Sequence, residues 1–76
     1  MVANINKLKG KKAEINITYK TIADTLGMTE TTLRKKLFDD DAEFVISETL
    51  IIKELLNLSN KEYLDIFFGS KLEFNS

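Results

Sequence analysis

One arrangement recurs four times in this chain and constrains its fold more than any other feature. Thr18, Thr29, Ser47 and Ser59 each stand before a polar-apolar pattern of helical spacing, and each follows an apolar residue. A hydroxyl in that place caps the orphan N–H groups of a helix's first turn. With the hydroxyl residue taken as the cap, Ile17 pairs with Ile22, Met28 with Leu33, Ile46 with Ile51 and Leu58 with Tyr63. That is the spacing of the hydrophobic staple, and Ser59 with Glu62 adds a capping box. A chain punctuated in this way is a series of short helices joined by tight turns.

The caps and spacing predict helices over 5–15, 19–26, 30–37, 48–57 and 60–68. Gly10 weakens the first of them by ~1 kcal/mol relative to Ala, and Asn16 suits a left-handed C-terminal cap. Between the third and fourth lies an irregular segment from Phe38 to Ile46: Asp39-Asp40-Asp41, then Ala42, Glu43 and Phe44-Val45-Ile46. It reads as a loop with a short extended stretch that tucks Phe44 into the core. Helical periodicity assigns the core to Ile5, Leu8 and Ile15; Ile22, Ala23 and Leu26; Leu33 and Leu37; and Leu50, Ile51, Leu55, Leu58, Leu64 and Phe67. The expected fold class is all-α, a compact bundle of about five short helices, with one domain over 1–68 and a C-terminal tail over 69–76.

Composition narrows the function. The 76 residues include no Cys, His, Pro or Trp, so thiol nucleophiles, imidazole bases and the usual zinc sites lack their parts. A domain of this size has little room to wall a substrate pocket of ~300–1,000 Å³. No enzyme activity, cofactor or metal is expected. The N-terminus has no signal-peptide core and no apolar run approaches the ~20 residues of a membrane span, so a soluble cytoplasmic protein is expected.

The overall charge of −1 hides an asymmetry. Residues 1–38 hold eight basic and three acidic side chains, and residues 39–76 hold three basic and nine acidic ones, giving +5 and −6. A basic half of this kind points to nucleic acid or a membrane surface as the partner.

Residues 18–37 lie within that basic half and spell two short helices joined by a turn of three or four residues, a helix-turn-helix pattern. Ala23 is small where the third helix crosses the second. Gly27 ends the second helix where the backbone needs positive φ, and Met28 and Leu33 anchor the third. The opposite face of helix 30–37 is then free, with Thr29, Glu30, Thr31, Arg34 and Lys35 as candidate readers of base edges in the major groove. Arg34 and Lys35 suit guanine O6/N7 or phosphate, Thr31 a thymine methyl, and Glu30 cytosine N4. Glu30 serves equally as a negative charge on the helix N-terminus. Candidate phosphate contacts are Thr18 and Tyr19 at the start of the second helix, with Lys20, Lys36, Lys7 and Lys9. Lys11 and Lys12 join them if they share that side. Tyr19 serves alternatively to cover the edge of the core.

The stretch Leu8 to Leu37, with Thr18, Ile22-Ala23, Leu26-Gly27-Met28-Thr29 and Leu33, resembles the lambda-repressor-like helix-turn-helix family, specifically small Cro-type repressors of phages and prophages. Phe44, Ser47-Glu48 and Leu55-Leu56-Asn57-Leu58-Ser59 extend the resemblance to about residues 5–68. It implies a dimeric repressor on a double-stranded DNA operator of two half-sites, in a bacterial host cell, with helix 30–37 in the major groove. The chain departs from the family in carrying Tyr19 where Gln is frequent, and Asp39-Asp40-Asp41 where Gly and basic or neutral residues are frequent. Three carboxylates repel phosphate, so that loop points away from DNA or weakens binding. It lacks the spacing of a calcium loop.

Phe67, Phe68, Leu72 and Phe74 form an apolar surplus near the C-terminus and suggest a homodimer contact or a site for another protein. The alternative function is accordingly a protein-binding modulator, antirepressor-like, that docks on a larger repressor.

Overall fold

The computed structural model of the protein describes residues 2–39 and 42–69. Among them are five α-helices and no strand: α1 (Ile5–Glu14), α2 (Tyr19–Leu26), α3 (Glu30–Phe38), α4 (Ile46–Leu55) and α5 (Asn60–Phe67). The all-helical bundle expected from the sequence is present, with helix ends that follow local chemistry. The Thr18 hydroxyl accepts from the Thr21 N–H at 3.1 Å, that of Thr29 from Thr32 at 3.1 Å, and that of Ser59 from Glu62 at 3.1 Å. Glu62 returns the bond, its Oε1 accepting from the Ser59 N–H at 2.9 Å, which completes the capping box. Asn4 caps α1 in the same way, through the Lys7 N–H.

Three helices end alike. Asn16, Gly27 and Asn57 take φ of 57°, 74° and 55°. Ile17, Met28 and Leu58 then donate back to the carbonyls of Lys12, Ala23 and Lys53, the Schellman pattern that satisfies carbonyls otherwise left over at a helix end. The cap read at Asn16 is thus where the sequence placed it.

The fourth start is different. Ser47 is not the cap of α4, which begins two residues earlier with Val45 at the N-cap. Val45 has no side-chain oxygen, and its N–H instead donates to Glu48 Oε1 at 3.0 Å. Thr49, Ile52 and Leu56 face the core, while Leu50 and Ile51, expected there, are exposed. The expected Ile46–Ile51 staple is exposed at both ends. Thr49 is a buried polar residue, and its hydroxyl donates to the Ile46 carbonyl at 2.7 Å. With that proton committed, the 2.7 Å bond to the Tyr63 hydroxyl runs from Tyr63 to Thr49.

The core consists of Val2, Leu8, Ile22, Ala23, Leu33, Leu37, Ile52, Leu56, Leu58, Tyr63 and Ile66. In α5 it is Tyr63 and Ile66 that point inward, and Leu64 is exposed; Ile15, just past α1, is exposed too. Ile5, Leu26, Leu55 and Phe67 pack around this centre, as does Phe44, whose ring meets Phe67 edge-on at 6.0 Å. Phe68 meets Tyr63 at 5.7 Å. Phe67 and Phe68, read as part of an apolar surplus, are half-buried against the core, and Leu72 and Phe74 lie outside the described residues. α2 packs on α3 and α4, and α1 on α5.

Candidate nucleic-acid interface

α2 and α3 are joined by Gly27-Met28-Thr29 and pack through Ala23, Leu33 and Leu37, all buried. A helix places residues three and four apart on one face, so burying Leu33 and Leu37 sends Thr31 and Lys35 to the opposite side, where both are exposed. Arg34 lies on one flank of α3 and Lys36 on the other. This divides the sequence-predicted cations into two groups.

The first group is held by contacts within the chain. Lys36 donates to the Glu43 carbonyl at 3.0 Å and pairs with Glu48 at 3.4 Å, so it ties α3 to the segment entering α4. Lys7 pairs with Asp65 at 3.2 Å, and Lys11 with Glu62 at 3.0 Å and Glu14 at 3.4 Å, linking α1 to α5. The Ser59 N–H bond, followed by Lys11, holds the Glu62 carboxyl down at about 2, and Glu62 in turn raises the Lys11 pKa. Lys20 forms an exposed pair with Asp24 within α2. Lys7 and Lys36, expected on phosphate, are thus engaged elsewhere.

The second group converges. Arg34 Cζ lies 4.7 Å from the centre of the Tyr19 ring and Lys12 Nζ 4.6 Å from it. Phe38 meets Tyr19 edge-on at 6.4 Å, and Lys9 Nζ lies 5.5 Å from the Phe38 ring. Three cations from α1 and α3 are gathered on two rings, one at the first position of α2 and one at the end of α3. Each such contact contributes ~0.5–1 kcal/mol at an exposed site. Among the described residues Lys9, Lys12 and Lys35 make no ion pair with a carboxylate. Two others without one, Lys53 and Lys61, are on α4 and α5.

Glu30 is the one acidic residue bound into the cluster among the described contacts. Its Oε2 accepts from Arg34 Nη2 at 2.8 Å and from Nε at 3.1 Å. Thr18 and Thr29 spend their hydroxyl oxygens as caps and bond the hydroxyls of Thr21 and Thr32, whereas Thr31 is exposed. Tyr19 combines both roles read for it, since its half-buried ring covers the core's edge and also gathers cations.

Phe38 is not legible as a site residue from the sequence, because it opens the segment that reads as loop. Its spacing of four from Arg34 is the signal that places it on the same flank. Elsewhere, a shallow cleft of about 460 Å³ is lined by Leu50, Ile51, Lys53, Glu54, Asn57 and Leu58. It offers one ammonium and one carboxylate, and no group of His, Cys, Asp and Glu among the described residues is arranged to hold a metal ion. No helix among them is long and apolar enough to cross a membrane. Compared with known proteins, the chain matches no family model, no curated protein and no solved structure.

Proposed function

We propose that the protein is a sequence-specific double-stranded-DNA-binding repressor of Cro type, in which α2 and α3 act as a helix-turn-helix and α3 enters the major groove. The observation that carries this reading is the convergence of Lys9, Lys12 and Arg34 on Tyr19 and Phe38, beside the exposed Thr31 and Lys35. Lys9 and Lys12 from α1, which make no ion pair among the described residues, and Arg34 from α3, which pairs with Glu30, together form a basic surface suited to a polyanion. The exposed side of α3 is short and polar enough to meet base edges.

Within this reading Thr31, Arg34 and Lys35 meet bases, and Lys9 and Lys12 meet phosphate. Glu30 orients Arg34. Lys7 and Lys36 keep structural roles.

The test is titration of the protein with a random-sequence pool of duplexes, then with the enriched duplex, at several salt concentrations. Log affinity should fall linearly with log salt, with a slope near −0.9 for each phosphate neutralised. Absence of binding to every duplex at low salt would sink the proposal and leave the protein-docking alternative.

A further inference from the structure

Tyr19 stands in a particular relation to Arg34. Glu30 Oε2 takes the Nε–H and one Nη2–H of the guanidinium, and the Tyr19 ring lies against the same group, 4.7 Å from Cζ. Guanidinium has five N–H donors in a rigid fork, so these contacts leave the Nη1 pair and the second Nη2 hydrogen. The unspent edge, Nη1 with Nη2, presents two donors side by side. Guanine offers O6 and N7 as two adjacent acceptors in the major groove, the match for such an edge. An arginine that is free in solution must be ordered on binding, and one already fixed in plane avoids that cost.

The same ring engages Lys12 at 4.6 Å, while Phe38 supports it edge-on at 88° between ring planes. Tyr19 is therefore braced from α3 and touches one cation on each of two helices. Its hydroxyl takes part in none of these contacts.

Resting on the DNA-binding reading above, we infer that Tyr19 is a positioning residue that makes Arg34 selective for a G·C pair, and that it acts through its ring rather than its hydroxyl. A phosphate contact by the hydroxyl, the role expected from its place at the start of α2, makes the opposite demand on substitutions.

The experiment compares Tyr19→Phe, Tyr19→Leu and Arg34→Ala on the duplex enriched by the wild-type protein, on versions with each G·C pair replaced by A·T, and on an unrelated duplex. Wild type and Tyr19→Phe should both lose about tenfold or more in affinity at one shared G·C pair. Tyr19→Leu and Arg34→Ala should both lose that discrimination. If Tyr19→Phe behaves as Tyr19→Leu does, the hydroxyl is responsible and the inference fails. It fails also if Tyr19→Leu keeps its discrimination.

A second measurement needs no DNA. The Nε–H resonance of Arg34 in the free protein should move in Tyr19→Leu and stay in place in Tyr19→Phe; an unmoved resonance in Tyr19→Leu overturns the ring contact. Should no duplex be enriched at all, the DNA-binding reading falls and base selection by Arg34 falls with it. Enrichment together with an unmoved Nε–H resonance overturns the role of Tyr19 alone.

Discussion

Single residues carry most of what distinguishes this molecule from a generic helical bundle. Arg34 is the sharpest case. If it makes a bidentate base contact, Arg34→Ala should weaken binding to the enriched duplex by ~1–3 kcal/mol and relax selection at one base pair; an equal loss on every duplex would reduce it to a phosphate contact. Lys61, on α5 in the acidic half, is the matching control, and Lys61→Ala should leave DNA affinity nearly unchanged in the same titration. A large loss there would mean the binding face has been misassigned. In the core, the Tyr63 hydroxyl donates to a Thr49 oxygen that has already given its own proton to Ile46. Tyr63→Phe removes that donor and should lower stability by about 1–2 kcal/mol in urea denaturation. A cost near zero would show that the hydroxyl pair contributes nothing.

At the level of the helices, two glycines give opposite predictions for one substitution. A Cβ at Gly10 or at Gly27 would meet nothing within 4 Å, so neither change creates a clash. Gly10 is inside α1, and Gly10→Ala should stabilise the protein by about 0.5–1 kcal/mol. Gly27 has φ of 74°, and Gly27→Ala should destabilise it by about 1–2 kcal/mol through backbone strain alone. Thermal melts of the two variants decide the matter, and shifts of the same sign would refute it. The same level shows what the sequence could and could not convey. Thr18, Thr29 and Ser59 announced their helices because each hydroxyl is the strongest local acceptor for the first-turn N–H groups. Ser47 announced one too, but Glu48 bonds the Val45 N–H and starts α4 earlier. Apolar residues stand on every side of α4, at Ile46, Leu50, Ile51, Ile52 and Leu55, so its pattern fixes its rotation weakly. Its orientation follows from contacts with the rest of the core, among them the burial of Ile52 and the Thr49–Tyr63 bond, which no periodicity within α4 encodes. The candidate site divides likewise. The basic character of α3 could be read directly, whereas the gathering of Lys9, Lys12 and Arg34 on Tyr19 and Phe38 depends on how α1 crosses the helix pair. Leu50→Ala should accordingly change stability by no more than about 0.5 kcal/mol, while Ile52→Ala should cost about 2–5 kcal/mol.

Across the whole molecule, charge is divided unevenly between the two halves of the chain, and the charged groups respond to different conditions. Lys9, Lys12 and Arg34 collect on two aromatic rings, whereas Lys7 and Lys11 are drawn into pairs with Asp65 and Glu62 that fasten α1 to α5. The folded Glu62 carboxyl titrates at about 2, below the 4.5 of an ordinary Glu. As pH falls, the unfolded chain therefore takes up its proton first. The contribution of Glu62 to stability is complete above about 4.5 and is lost as pH falls toward 2. Glu62→Gln should flatten the dependence of Tm on pH across that interval, and an unaltered slope would show that the Ser59 and Lys11 contacts do not matter to folding. The aromatic residues add a practical consequence. With no Trp and only two Tyr in the chain, its intrinsic fluorescence comes from one phenol in the core and one on the basic surface. Tyr63 is buried and reports unfolding; Tyr19, half-buried between two cations, reports on the surface they form. The protein thus carries separate native reporters of its folding and of its surface, and Tyr19→Phe silences one of them without a label.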